Sequence, residues 1–328
     1  MAETVLVTGG SGFIAGWCVR LLVERGFSVR TTLRDLSKGT ALRDVRVFVA
    51  DLTKDEGWDE AVRGCDYVLH VASPLGGVSD ERAFLGPARD GTLRVLAAAA
   101  RANVKRVVMT SAAAAARPRN GLSVETAWAD PDDPQFDAYR RSKILAERAA
   151  WEFIKDKTTE LATVLPGAVF GPILSRASMG SSAIVEGLLR GRPPGLPRIG
   201  FWVVDVRDLA ELHVRAMLAP EAGGERFLAA AEFLWMSDIA DILRARLGKR
   251  AARVPKRKLS NTTVRLLSLF APQLRRIKPL LGKTIALDPT KARRMLGFAP
   301  RPVADTLADC AESLIASWSG AGTARPGS

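Results

Sequence analysis

A tyrosine and a lysine four residues apart are the pair in this chain best suited to chemistry. They are Tyr139 and Lys143, and Tyr139 is one of only two tyrosines among 328 residues. On a helix, residues four apart lie on the same face, so the phenol and the ammonium would be neighbours. A free phenol has a pKa of about 10, and a nearby ammonium stabilises the phenolate and lowers that pKa. The pair therefore predicts proton transfer from Tyr139 to a carbonyl oxygen, with Lys143 tuning the phenol.

A glycine-rich turn near the N-terminus predicts a site for a dinucleotide. The apolar run Thr4-Val-Leu-Val7 ends in Thr8-Gly-Gly-Ser-Gly12, after which apolar residues recur at helical spacing. Strand, glycine turn and helix in this order bring backbone N–H groups to a helix N-terminus, where phosphate is stabilised. The spacing is GxxGxxA rather than GxGxxG, and a purely structural turn would need glycine as well. The residues that we predict to bind the cofactor here are Gly9, Ser11, Gly12, Phe13 and Ile14.

The end of the second predicted strand favours NADP(H) over NAD(H). A carboxylate at this point accepts a bond from the ribose 2′-OH, whereas a guanidinium pairs with a 2′-phosphate. The strand ends in Arg34, and Lys38 adds a second cation, while the adjacent Asp35 keeps NAD(H) open as the alternative. After the third strand, Asp51 and Leu52 are predicted to contact the adenine, although Asp51 would serve equally as the N-cap of the next helix.

The order of predicted elements indicates an α/β fold with a doubly wound parallel sheet of the Rossmann type. Strands are predicted at 4–7, 28–33, 45–49, 67–71, 106–110, 161–165 and 201–204, with helices between most of them, and such alternation is typical of a parallel sheet covered on both faces. We predict an NADP-binding domain over 1–171 and 201–218. A smaller, interleaved substrate-binding region is predicted over 172–200 and 219–318, followed by a flexible tail over 319–328.

Composition excludes several classes of protein. Hydrophobic residues make up 47% and charged residues 25%, as in ordinary globular domains. Three scattered cysteines and two histidines give no metal-binding spacing, so we expect no metal site. The chain has no apolar run long enough to span a membrane and begins without a basic signal segment. We expect a cytoplasmic protein that is a monomer or homodimer.

Positive charge is concentrated in one stretch of the chain. Between Ile242 and Arg301 the sequence has 17 lysines and arginines and one acidic residue, Asp288. Such a stretch can attract nucleic acid, anionic lipid or a phosphorylated substrate. The charges alternate with apolar positions such as Val264, Leu267 and Leu269, a pattern typical of a solvated helix face. We therefore predict no nucleic-acid partner.

Taken together, these motifs resemble the extended short-chain dehydrogenase/reductase family, whose members are NAD(P)-dependent and epimerase/dehydratase-like. The resemblance is to the branch of dihydroflavonol reductases, cinnamoyl-CoA reductases and aldehyde/ketone reductases, and it covers nearly the whole chain. It rests on these segments: Thr8 to Ala15, Arg34-Asp35, Ala50-Asp-Leu52, His70-Val-Ala-Ser-Pro74, Tyr139 with Lys143, Leu165-Pro166 with Val169-Phe-Gly-Pro172, and Asp205-Val-Arg-Asp208.

This resemblance implies further site residues. It implies that Lys143 also holds the nicotinamide ribose and that the two histidines, His70 and His213, are scaffold residues. It also implies that Tyr139 contacts the cofactor. The remaining cofactor-binding residues that it implies are Val71, Ala72, Ser73, Thr110, Pro166 and Val169. The chain lacks the Asn-Trp-Tyr-Cys-Tyr signature of plant cinnamoyl-CoA reductases, which disfavours lignin precursors as substrates.

One position departs from the pattern of the family. Members carry Thr-Ser-Ser after the fifth strand, and the second serine hydrogen-bonds the substrate carbonyl, whereas this chain reads Thr110-Ser111-Ala112. A replacement donor is needed for full stabilisation of the transition state. We predict Ser111 as the third catalytic residue, with water, Ser123 or Thr126 as the alternatives.

The sequence thus predicts an NADPH-dependent reductase that converts an aldehyde or ketone to the alcohol. The proton would come from Tyr139 and the hydride from the nicotinamide. Two alternatives remain open. One is an NAD-dependent sugar-nucleotide epimerase or hydroxysteroid dehydrogenase, and the other is a cofactor-sensing protein without turnover.

Overall fold

The predicted alternation of strands and helices is present in the computed structural model, which describes residues 2–35, 45–74, 82–176, 178–275 and 277–320. The strands in these ranges are β1 (Thr4–Val7), β2 (Ser28–Leu33), β3 (Arg46–Val49), β4 (Tyr67–His70), β5 (Arg106–Thr110), β6 (Glu160–Pro166), β7 (Ala168–Phe170), β8 (Leu196–Pro197), β9 (Gly200–Asp205), β10 (Arg226–Ala229), β11 (Glu232–Trp235) and β12 (Lys258–Leu259). The helices there are α1 (Phe13–Glu24), α2 (Trp58–Val62), α3 (Arg82–Arg101), α4 (Ala138–Ile154), α5 (Ser182–Leu189), α6 (Val206–Leu218), α7 (Met236–Leu247), α8 (Asn261–Phe270), α9 (Pro272–Arg275), α10 (Thr290–Leu296) and α11 (Val303–Gly320).

Seven strands form one parallel sheet, which confirms the predicted Rossmann-type α/β class. Their order is β10-β6-β5-β4-β1-β2-β3, and every neighbouring pair runs parallel. The chain progresses outward from β1 in one direction through β2 and β3, and in the other through β4, β5 and β6. The order therefore reverses between β1 and β4, the position where sheets of this kind bind nucleotides.

The first of two compact units contains this sheet. It consists of Met1–Gly167, Arg207–Ala229 and Ala286–Ala299. One apolar core lies between the sheet and helices α2, α3 and α4, and its buried residues include Leu96, Val107 and Ala146. Strand β1 is buried along Val5, Leu6 and Val7, as expected of a central parallel strand.

The second unit consists of Ala168–Val206, Ala230–Ile285 and Pro300–Ser328. It contains the three-stranded sheet β11-β9-β7 and the strand pair β12-β8. Its own core includes Phe170 and Val203 from the strands and Leu243 and Leu307 from helices α7 and α11. Two separate cores explain why the chain divides into two units.

The two compact units have bounds that differ from the predicted domain ranges in several segments. The sequence assigned 201–218 to the nucleotide-binding domain, but β9 pairs with β7 and β11 in the smaller sheet. The seventh strand of the large sheet is β10, which pairs with β6 in parallel register. The basic segment Ala286–Ala299 also belongs to the first unit. Periodicity identified the elements but not their pairing, because pairing depends on contacts distant in sequence.

All three cysteines are buried free thiols. Cys18 and Cys65 lie in the first unit and Cys310 in the second. Burial raises the pKa of each, for Cys18 to about 12. Within the described ranges no three His, Cys, Asp or Glu side chains are grouped so that they could hold a metal ion. In the same part of the chain, no helix has the length and apolar character needed to cross a membrane.

Candidate active site

Most of the predicted site residues follow the C-terminal ends of neighbouring strands in the large sheet. Since these strands are parallel, their carboxyl ends lie along one edge. The residues at that edge are Gly9–Gly12 after β1, Arg34 after β2, Asp51 and Leu52 after β3, Val71–Ser73 after β4, Thr110 and Ser111 at the end of β5, and Pro166 at the end of β6. Val169 differs, because it lies in β7 of the second unit.

The glycine turn after β1 is held closely between its neighbours. Gly9 has φ +73°, a conformation that favours glycine, and its N–H donates to Thr32 Oγ1 at 3.0 Å. A Cβ atom on Gly9 would lie 3.0 Å from the Cβ of Ala72, and one on Gly10 would lie 2.2 Å from Thr31 Oγ1. Side chains at these positions would displace the ends of β2 and β4. Glycine here is therefore required by the turn itself.

Helix α1 begins at this turn, and its N-terminus offers backbone N–H donors to an anionic group. Its N-cap is Gly12, which has no side chain to accept bonds from the N–H groups of the first turn. That turn contains no acidic residue, Phe13 is buried and Ile14 is half-buried, while Ser11 is exposed beside them. A twelve-residue helix with such an N-terminus fits a diphosphate.

Thr8 connects the glycine turn to the end of β4. Its Oγ1 accepts bonds from the N–H groups of Val71 at 3.1 Å and Ala72 at 2.9 Å. His70 Nδ1 lies 3.0 Å from the same oxygen, and His70 Nε2 lies 3.2 Å from Thr92 Oγ1. Burial lowers the pKa of His70 to about 3, so the ring is neutral and acts as scaffold. Val71, Ala72 and Ser73 remain half-buried at the edge, available to a ligand.

The second and third strands end in a cation and a carboxylate. Arg34 is exposed and close enough to help lower the pKa of Asp51, after the larger effect of the Thr53 N–H. Asp51 Oδ1 accepts bonds from Thr53 N and Thr53 Oγ1, each at 2.8 Å. Helix α2 has Gly57 as its N-cap, so the interpretation of Asp51 as a helix cap is wrong. Leu52 is half-buried, and Lys38 lies outside the described residues.

Helix α4 presents Tyr139 and Lys143 one turn apart, as the spacing predicts. Asp137 is the N-cap of this helix, and its side chain accepts a hydrogen bond from Arg140 N at 2.9 Å. Tyr139 therefore lies in the first turn of the helix. Tyr139 is 37% exposed, whereas Lys143 is buried and donates from Nζ to the Thr110 carbonyl at 3.0 Å. The bond fixes the ammonium at the end of β5.

The pKa of Tyr139 differs in direction from the sequence prediction. Burial of the phenol raises its pKa above the usual value of 10, with a smaller opposing effect from Arg140. Burial also lowers the pKa of Lys143, to about 8. The net shift of the Tyr139 pKa is therefore upward, opposite to the predicted direction.

Thr110 couples this lysine to a buried histidine. While its carbonyl accepts from Lys143, its Oγ1 lies 2.7 Å from His213 Nε2. His213 Nδ1 lies 2.7 Å from the Leu209 carbonyl and must donate to it, so the threonine hydroxyl donates to Nε2. Burial lowers the pKa of His213 to about 4, and the ring is a neutral scaffold group.

Ser111 belongs to a buried polar cluster that the sequence analysis missed. Its Oγ donates to Glu147 Oε2 at 2.6 Å, and Thr163 Oγ1 donates to Glu147 Oε1 at 2.7 Å. Arg226 on β10 pairs with the same carboxylate at 2.9 Å and also donates to the carbonyl of Glu125 at 2.5 Å. Glu147 is four residues after Lys143, so the spacing that identified the first pair could have identified it too.

These bonds argue against the predicted catalytic role of Ser111. A hydroxyl has one proton to donate, and Glu147 accepts that of Ser111. Ala112 follows in extended backbone and is half-buried. Of the alternative side chains, Ser123 is buried and its backbone pairs with Ala286 and Asp288, while Thr126 is exposed. In this structure the Ser111 proton is therefore directed to Glu147.

Known proteins resemble the chain over most of its length. The family model described as the NAD dependent epimerase/dehydratase family matches residues 5–230. Cinnamoyl-CoA reductase 1 of Petunia hybrida is 37% identical over 257 residues, 74% of this chain and 76% of that protein. Ketoreductase azaE of Aspergillus niger is 33% identical over 96% of this chain and 98% of its own. The solved structure of yeast methylglyoxal/isovaleraldehyde reductase Gre2 complexed with NADPH has a TM-score of 0.81 and 27% identity, covering 97% of this chain and 99% of the other.

Proposed function

The chain belongs to the NAD dependent epimerase/dehydratase family, and from that premise we propose that it reduces an aldehyde or ketone to the alcohol with NADPH. Its relatives include cinnamoyl-CoA reductases and a ketoreductase, which supports an NAD(P)-dependent oxidoreductase acting on carbonyl groups. The observation that carries the proposal is the position of Lys143. Its ammonium is bound to the end of β5, on the same sheet edge as the glycine turn, one helical turn from Tyr139.

Each residue of the pair has a distinct task in this proposal. The raised pKa keeps the phenol of Tyr139 protonated at neutral pH, as a proton donor requires. An alkoxide is a much stronger base than a phenolate, so it takes this proton readily. Lys143, still largely protonated at pH 7 with its pKa of about 8, stabilises the phenolate that is left. The nicotinamide, when bound, supplies the hydride.

NADP(H) is the cofactor that the site favours. The N-terminus of α1 would hold the diphosphate, and Arg34 at the end of β2 would pair with the 2′-phosphate. Val71, Ala72 and Ser73 would line the cofactor at the end of β4, and Pro166 at the end of β6 would border the nicotinamide. The structure of Gre2 with NADPH, which shares this fold, supports the choice.

Replacing Arg34 with Ala is expected to weaken NADPH binding by about tenfold or more and NADH binding far less. Only NADPH has the 2′-phosphate with which a guanidinium makes a charge-assisted pair. Fluorescence titration of both cofactors measures the two dissociation constants. The exposed Arg63 provides a matched control, since Arg63→Ala removes an equal charge elsewhere in the same unit. Equal losses for both cofactors would remove Arg34 from this role.

Replacing Ala112 with Ser is expected to raise the rate of hydride transfer by about tenfold, because the substitution adds a hydrogen-bond donor for the developing oxyanion. Ser111→Ala serves as the comparison and is expected to reduce stability rather than to change the rate specifically. Single-turnover kinetics with preformed cofactor complex measure the chemical step. A rate unchanged in Ala112→Ser, together with a large loss in Ser111→Ala, would return the role to Ser111.

The decisive experiment is a cofactor titration followed by a panel of aldehydes and ketones. NADPH-dependent reduction of at least one class of carbonyl is expected. Tightly retained NAD, or oxidation of a secondary alcohol with NAD, would instead indicate an epimerase or a hydroxysteroid dehydrogenase. Bound cofactor without turnover on any carbonyl would contradict a reductase and indicate a sensing protein.

A further inference from the structure

Helix α8 in the second unit has an apolar outer face. Val264 and Ser268 are buried on its inner side, four residues apart. On the outer side Leu266, Leu269 and Phe270 are 59%, 61% and 86% exposed. Helices on the surface of a protein ordinarily present polar residues to solvent. The solvent-exposed face of this helix thus contains large apolar side chains as well as the charges that the sequence predicts there.

Basic side chains surround this apolar face. Arg265 lies on α8 itself and is exposed. Arg275 reaches back to donate to the carbonyls of Ser268 and Leu269 at the C-terminal end of the helix, each at 3.1 Å. At the other end, Gly282 lies against Asn261, which brings the exposed Lys283 to the start of the helix.

The charge of the surrounding sequence has one sign. From residue 242 to residue 285 the chain has 13 lysines and arginines and no aspartate or glutamate. The exposed basic residues of the described part of this stretch include Lys256, Arg257, Lys258 and Lys278. A second copy of the chain docked on α8 would bring two such sets together, and like charges across an interface oppose association. The basic charge favours an anionic covering surface, and the exposed apolar face favours one that has an apolar layer beneath its charges.

We propose that α8 docks this protein on a bilayer that contains anionic lipid, with the helix parallel to the surface. Leu266, Leu269 and Phe270 enter the boundary between headgroups and acyl chains, while the surrounding arginines and lysines contact the phosphates. Apolar insertion combined with a polybasic rim is the arrangement by which interfacial helices bind membranes reversibly. This attachment is independent of the proposed reductase activity.

Vesicle flotation of the full chain tests the proposal. Vesicles of phosphatidylcholine with added phosphatidylglycerol are expected to carry the protein upward, and vesicles of phosphatidylcholine alone are not. Raising the salt from about 0.1 M to about 1 M shortens the screening length from about 10 Å to about 3 Å and should release it. The double variant Leu269→Ser/Phe270→Ser is expected to bind about tenfold more weakly.

A pair of exposed leucines outside this helix gives the control. Leu122→Ser/Leu218→Ser replaces two exposed apolar side chains of the first unit and should bind vesicles like the unaltered chain. Circular dichroism and thermal unfolding establish that both double variants are folded. Equal binding to neutral vesicles, absence of binding, or full binding by Leu269→Ser/Phe270→Ser would overturn the proposal. So would light scattering that shows a dimer converted to a monomer by this variant, because a second copy would then cover the face.

Discussion

Replacing Tyr139 with Phe is expected to lower kcat by about 10²–10⁴-fold while leaving NADPH binding nearly unchanged. The ring and its packing on α4 are retained, and only the transferable proton is lost. Steady-state kinetics on a reduced carbonyl give kcat, and fluorescence titration gives the dissociation constant of NADPH. A loss confined to kcat separates proton transfer from cofactor binding.

The chain provides its own control for this variant. Its other tyrosine, Tyr67, lies half-buried on β4 with Lys105 5.3 Å from the ring centroid. Tyr67→Phe also removes a phenolic hydroxyl from the first unit and is expected to retain full turnover. Unchanged turnover in Tyr139→Phe would exclude the phenol as the proton donor, whereas equal losses in both variants would indicate a structural effect.

Breaking the buried pair between Glu147 and Arg226 is expected to lower the free energy of unfolding by about 3–5 kcal/mol. Glu147 is fully buried, and its carboxylate holds Arg226 together with the hydroxyls of Ser111 and Thr163. Removing one partner leaves the other charged, buried and incompletely paired. Urea unfolding of Glu147→Gln and of Arg226→Met measures the loss as a lower midpoint at constant slope.

The double variant Glu147→Gln/Arg226→Met measures how much of the stabilisation comes from the interaction between the two side chains. It leaves neither charge uncompensated, so the loss is expected to be smaller than the sum of the two single losses. Additive losses would mean that the two side chains stabilise the fold separately. Arg226 also lies over Trp128, with 3.8 Å between the guanidinium carbon and the ring centroid, and this contact is lost in both arginine variants alike.

The same carboxylate affects the lysine of the site. Burial lowers the pKa of Lys143 to about 8, and the charge of Glu147 opposes that shift. If the ammonium is the working form, kcat/KM of the unaltered chain declines as the pH rises through about 8. In Glu147→Gln the opposing charge is gone, so the decline moves to lower pH. A profile that stays flat to pH 10 would show that deprotonation of Lys143 does not limit the reaction.

The sequence was sufficient to predict most helices and strands, together with the candidate residues that belong to short motifs. The strand predicted at 106–110 agrees with β5, and the strand predicted at 28–33 agrees with β2. The periodicity of apolar residues and the positions of turn residues indicate a strand or helix within a short segment of sequence. Gly9, Tyr139 and Lys143 are predicted as site residues in the same way, because each belongs to a motif that is short in sequence.

Contacts between distant segments could not be predicted. Arg226 is 79 residues from Glu147, and no pattern in the sequence joins them. Without that contact, the sequence alone does not show that the Ser111 hydroxyl is bound to Glu147, nor that β10 pairs with β6. The raised pKa of Tyr139 has the same origin, since burial depends on the whole fold rather than on the lysine four residues away.

The three buried thiols make the folded chain inert toward thiol reagents, because only an exposed thiolate reacts readily. Each thiol reacts only when the structure around it unfolds locally. The rate of alkylation under native conditions therefore measures how often that part of the fold opens. Cys18 and Cys65 report on the first unit and Cys310 on the second. Mass spectrometry of the labelled peptides thus resolves whether the two units open together or in sequence, without any introduced probe.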